Sequence, residues 1–138
     1  MGRVINTETA GKRRNQLNRG IVAAMRELMQ QAEPNDLTRD LAAFIVIALF
    51  EIHEGVDISV QAWEKRGYWV KADRFRLDWE WTRQLGEQLK SALMAEDWGM
   101  YASLVTKIAV KLANVKVTPR SRIGTPWIGA WKLLQQSK

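Results

Sequence analysis

The sequence predicts an all-α fold, an antiparallel up-down bundle of four main helices with a short C-terminal helix. Three observations carry that prediction. Apolar residues recur at helical spacing along most of the chain. Alternating apolar and polar runs of the strand type are nearly absent. The periodic segments are joined by short connections, which favour antiparallel neighbours.

The first pattern covers residues 7–32. Leu17, Ile21, Ala24, Met25, Leu28 and Ala32 fall within an arc of about 100° on one helix face. Lys12, Arg19 and Arg26 follow each other at intervals of seven and lie on the opposite side, so the segment is amphipathic with a basic outer stripe. The cluster Lys12-Arg13-Arg14 sits near the helix start, where the dipole disfavours cations. Either the regular helix begins nearer Asn15 or an acidic group compensates.

Glu33-Pro34-Asn35-Asp36 is a turn, with Asp36 or Thr38 placed to cap the next helix. That helix is expected from Leu37 to Arg66. Leu41, Ile45, Leu49, Ile52, Val56, Val60 and Trp63 keep one face throughout, and Phe44, Ile47 and Phe50 occupy the others. A helix apolar all round must be covered on all sides. It is either the centre of the bundle or part of a subunit interface. Gly55 costs about 1 kcal/mol relative to Ala in a helix interior. The apolar phase does not change across it, which predicts one helix.

Gly67 ends this helix, and the third is expected from Val70 to Ala95. Phe75, Trp79, Thr82, Leu85, Leu89, Ala92 and Leu93 point inward. Arg74–Asp78, Arg76–Glu80 and Arg83–Glu87 are spaced to pair on the solvated side. Asp97 caps a fourth helix expected from Trp98 to Val115, with Tyr101, Leu104, Val105, Ile108, Leu112 and Val115 as its stripe. Pro119 ends the regular region, and residues 120–124 form an irregular basic link. Thr125-Pro126 is spaced to start a last short helix, whose apolar edge is Trp127, Ile128, Trp131 and Leu134. Such a helix is marginal alone. The basic segment 116–138 is therefore expected to dock on the bundle or on a partner.

The chain has 138 residues, enough for one domain over residues 1–138 that buries roughly 70% of its unfolded surface without a disulfide or metal. There is no cysteine, so disulfides, thiol nucleophiles and thiolate metal sites are excluded. That composition fits a reducing compartment, and the expected location is cytoplasmic. The N-terminus shows no signal-type apolar stretch, and Asn6 stands where a myristoylation motif beginning at Gly2 needs Ser or Thr. The longest apolar run, Leu41 to Phe50, has ten residues. A bilayer span needs about 20, so no membrane partner is expected.

The net charge of +6 is segregated: +4 in residues 1–31, −5 in 32–62, zero in 63–97 and +7 in 98–138. Basic ends suggest an anionic partner. They are equally suited to folding against the acidic second helix.

The chemistry-bearing candidates are few. Glu51, His53, Glu54 and Asp57 are the weak candidates for a metal, completed by Asp73 or Asp78 from the third helix. Two-metal helical sites use Glu-x-x-His pairs, but Phe50 stands three residues before His53, the only histidine. The plainer reading is a solvated acidic face. No cofactor is expected. No serine lies in a Gly-x-Ser-x-Gly turn, and no glycine-rich phosphate loop precedes a helix. Two basic–aromatic clusters remain. In residues 63–76, Trp63, Trp69 and Phe75 read first as the end of the core, covered by lysine and arginine stems. In residues 116–132, Arg120, Arg122, Trp127 and Trp131 suit a binding role and a structural role equally.

Together these features predict a non-enzymatic helical binding module for a nucleic acid or another polyanion. Lys12, Arg13, Arg14, Arg19, Arg26, Arg120 and Arg122 are the expected phosphate contacts, and Trp127 the stacking or anchoring residue. The main alternative is an adaptor working through protein contacts, as a homodimer or a complex subunit. A carboxylate-metal enzyme stands third.

Overall fold

The computed structural model describes residues 7–137, with side chains from Thr9 onward. Gly2, Arg3, Asn6 and Lys138, and the side chain of Glu8, lie outside it.

Asn35 opens the longest helix. Its side chain accepts a hydrogen bond from the Thr38 N–H at 2.9 Å, and its own N–H donates to Thr38 Oγ1 at 3.1 Å. This reciprocal cap satisfies two backbone donors that a helix start leaves unpaired. The cap is thus Asn35, not Asp36 or Thr38, and Thr38 is its partner three residues on. The helices are α1 (Thr7–Met29), α2 (Asp36–Lys65), α3 (Trp69–Met94), α4 (Trp98–Lys111) and α5 (Ala130–Gln136), with a 3-10 turn at Pro119–Ser121. No strand occurs among the described residues. α2 runs unbroken through Gly55.

The fold is organised around α2. α1, α3 and α5 pack on it, and α4 packs on α3. From α4, the buried Tyr101 hydroxyl donates to the Ala42 carbonyl of α2 at 2.8 Å. Burial pushes that phenol far above its ordinary range. Neighbours on every side explain why α2 is apolar all round. Leu41, Ala42, Ala43, Ile45, Val46, Ala48 and Leu49 are all buried.

Two glycines receive the off-face aromatics of α2. A Cβ on Gly86 of α3 would lie 2.8 Å from the Phe50 ring, and one on Gly20 of α1 3.0 Å from the Phe44 ring. Glycine weakens a helix interior by about 1 kcal/mol. Here that cost is offset by the close approach of two large, partly buried rings, each contributing a fraction of the roughly 1.5–3 kcal/mol that full burial would give. The same contacts fix direction. Gly20 meets Phe44 while Ala10 meets Gly55, so α1 runs antiparallel to α2. Phe50 meets Gly86 while Trp63 meets Phe75, so α3 does too.

Several boundaries differ from expectation. α1 stops at Met29 and α4 at Lys111. Beyond α4 the chain turns so that Val115 and Val117 pack against the core. The largest difference is in the last helix. Residues 126–129 form turns, and α5 begins only at Ala130, after Gly129 at φ +83°. Thr125-Pro126 therefore does not start the helix. Its cap comes from α2, where the Asp40 carboxylate accepts hydrogen bonds from the N–H groups of Gly129 at 3.1 Å and Trp131 at 3.0 Å. Trp127, Ala130 and Leu134 are buried by this docking, whereas Ile128, expected on the same edge, is 70% exposed.

On α3, the Arg83–Glu87 pair forms at 3.3 Å, but Arg83 also binds Glu80. Arg76 instead joins Asp73 at 2.8 Å and Glu64 of α2 at 2.9 Å. The interhelical carboxylate competes successfully with the expected partner four residues on.

Candidate nucleic-acid interface

α1 presents the basic groups in two environments. Lys12, Arg19 and Arg26 follow the side of the helix opposite buried Leu17, Ile21, Ala24 and Met25, with Lys12 and Arg26 exposed and Arg19 half-buried. At the far end of this stripe, Arg26 Nη1 donates to the Val117 carbonyl at 3.2 Å. The bond fastens the chain that follows α4 to the end of α1. Lys116, Arg120 and Arg122 are exposed on that chain. The 3-10 turn and a left-handed Arg122 at φ +49° shape the link. A Thr118 N–H to Ser121 Oγ bond of 3.2 Å closes it.

Arg13 and Arg14 are placed differently. Arg13 forms a forked pair with Glu51 of α2, Nε to Oε2 at 2.5 Å and Nη2 to Oε1 at 3.0 Å. The Glu51 hydrogen bond holds the Arg13 guanidinium above its usual value. Here is the acidic group that lets a cationic cluster sit in the first turns of α1. Arg14 is half-buried, its guanidinium 4.9 Å from the Phe75 ring centre and 5.2 Å from that of Trp79. Burial lowers its pKa, and its Nη1 is buried without a hydrogen bond among the described residues. Arg13 thus ties α1 to α2, and Arg14 covers the aromatic end of the core.

Trp127 is only 6% exposed and meets Phe44 edge-on, ring centres 6.4 Å apart. Its burial removes it as a platform for a base and makes it the anchor of the C-terminal segment. The exposed rings are elsewhere. Tyr68 and Trp69, at the start of α3, are 54% and 60% exposed. Trp63 and Phe75 close the core beneath them as expected, but Trp69 does not take part. The signal was in the spacing. Trp69 precedes Phe75 by six residues, about 240° round a helix.

The acidic face of α2 is not gathered into a site. Glu51 is held by Arg13, His53 Nε2 lies 3.7 Å from Asp57 and Glu54 is exposed. Asp73 is bound to Arg76. Among the described residues no group of three or more His, Asp or Glu side chains is placed to hold a metal ion.

A second surface is apolar. The end of α1 and the face of α4 turned towards it leave a groove of about 760 Å³ between them. Val22, Met25 and Met29 form one wall and Ala102, Val105 and Ala109 the other. No helix among the described residues is long and apolar enough to cross a membrane. No family model, curated protein or solved structure matches the chain.

Proposed function

We propose that the chain is a non-enzymatic binding module on an antiparallel bundle of four main helices, and that its partner is a nucleic acid. One observation carries this reading. The Arg26–Val117 bond ties the end of the α1 stripe to the chain segment that bears the exposed Lys116, Arg120 and Arg122. Residues 98–138 contain no Asp or Glu, so nothing in that segment neutralises the link. Cations along a line meet phosphates along a line, and each one displaces counterions from the polyanion. Lys12, Arg19, Arg26, Arg120 and Arg122 are the contacts assigned to it. Arg13, Arg14 and Trp127 have structural work instead.

Titration of a labelled oligonucleotide at increasing salt tests the proposal. Binding at about 50 mM salt should fall steeply as salt rises. Arg120→Glu with Arg122→Glu should weaken it further at every salt concentration. No binding of RNA or DNA by the wild-type chain at about 50 mM salt removes the proposal.

The groove between α1 and α4 supports the second reading, an adaptor that acts through protein contacts. Its walls of methionine and alanine suit an apolar helix face. A chain that stays monomeric at high concentration and retains no protein partner would count against this reading.

A further inference from the structure

The turn between α2 and α3 combines exposed rings with cations. Gly67, at φ +81°, follows the last residues of α2 and reverses the chain at once. Tyr68 and Trp69 thereby stand beyond the Trp63–Phe75 contact that closes the core, whose ring centres are 4.9 Å apart. Neither Tyr68 nor Trp69 packs on another aromatic ring among the described residues. Lys65, Arg66, Lys71 and Arg74 flank the rings and are exposed. No ion pair engages these four among the described residues. Of the nearby carboxylates, Glu64 and Asp73 are bound to Arg76, while Asp78 lines the same hollow as Lys71 and Arg74 without forming the expected ion pair with Arg74 among the described residues. The Lys71 ammonium lies 4.5 Å from the centre of the Trp63 ring.

We infer that this tip binds unpaired bases of a single-stranded nucleic acid, with Tyr68 and Trp69 stacking on bases and the four flanking cations meeting phosphates. The inference rests on the nucleic-acid reading above and adds a preference for single strands. Stacking needs an aromatic face open to solvent and a base face that is not already in a duplex. Phosphates of the same strand must then find cations within a few residues of the rings, and residues 65, 66, 71 and 74 provide them. A lipid surface would call for an aliphatic wedge projecting past the cations. Val70, 75% exposed, is the one aliphatic side chain among residues 65–71, and a single valine is too little for such a wedge.

The test uses the full chain and two labelled probes of about fifteen nucleotides, an oligouridylate and a duplex, read by fluorescence anisotropy. Wild type should bind the single strand more tightly. Trp69→Ala should lose about tenfold in single-strand affinity and less than about twofold for the duplex. Trp69→Phe should keep most of the affinity, and circular dichroism should show unchanged helix content in both variants. Unchanged single-strand binding by Trp69→Ala overturns the inference. If Arg120→Glu with Arg122→Glu still weakens both probes, the nucleic-acid reading survives that result. Wild-type chain that binds neither probe overturns both. Co-sedimentation with phosphatidylserine vesicles that depends on Trp69, with oligonucleotide binding unaffected by its loss, also overturns the inference and assigns the tip to a lipid surface.

Discussion

The α2–α3 turn and the C-terminal segment resemble each other in sequence and differ in the fold. Each interleaves tryptophan with lysine and arginine. At the turn Trp69 is 60% exposed, whereas Trp127 in the C-terminal segment is 6% exposed. The cause is backbone placement. Asp40 fixes the C-terminal backbone at Gly129 and Trp131, which lays Trp127 against Phe44. Gly67 turns the chain so sharply that Trp69 begins α3 off its core face. An aromatic–basic cluster names a surface only once the register of its rings is known.

Removing each ring in turn separates the two roles. Trp127→Ala should cost about 3–5 kcal/mol, the range for emptying a large aromatic site in a core. Trp69→Ala should change stability by less than about 0.5 kcal/mol, as for an exposed position. Urea denaturation of the two variants gives both numbers. Equal losses would mean that the two tryptophans do the same work.

A smaller effect is expected at the capping carboxylate. Asp40→Ala leaves the N–H groups of Gly129 and Trp131 without their acceptor. The expected loss is about 1–2 kcal/mol, typical of a helix cap. Hydrogen exchange should quicken at these two amides first, because α5 is short and depends on docking. Asp40→Asn keeps one acceptor oxygen and should lose less. Unchanged exchange in Asp40→Ala would show that the segment is held by its apolar contacts alone.

These contacts also mark how far the sequence could be read. The four long helices followed from apolar spacing, and the lack of a polar face on α2 narrowed its place to the bundle centre or a subunit interface. Both depend on local periodicity, which a single chain displays. The start of α5 was hidden because its cap lies 89 residues away, in the Asp40 bond to Gly129. Arg13 and Arg14 read as one cluster with Lys12, yet Glu51 and the Phe75–Trp79 rings claim them from other helices. Of the expected contacts, Lys12, Arg19, Arg26, Arg120 and Arg122 remain assigned to the surface. Adjacent residues on a helix point in directions about 100° apart, and of these three cations Arg14 falls on the side of Leu17, Ile21 and Met25, so it enters the packing.

The smallest effect, and the one that separates binding from architecture, concerns Arg26. Its bond to the Val117 carbonyl is exposed and charge-assisted. Arg26→Ala should therefore cost less than about 1 kcal/mol in urea denaturation. The bond also sets where the link 116–122 lies relative to the α1 stripe. Its loss should weaken nucleic-acid binding more than it weakens folding, and should reduce the salt slope by about one. Arg26→Lys keeps the charge but loses the planar fork, so it should preserve most of the salt slope while loosening the link. A link that is loosened in both variants, with binding unchanged in both, would leave the bond as architecture only. The phosphate contacts would then lie at the α2–α3 turn.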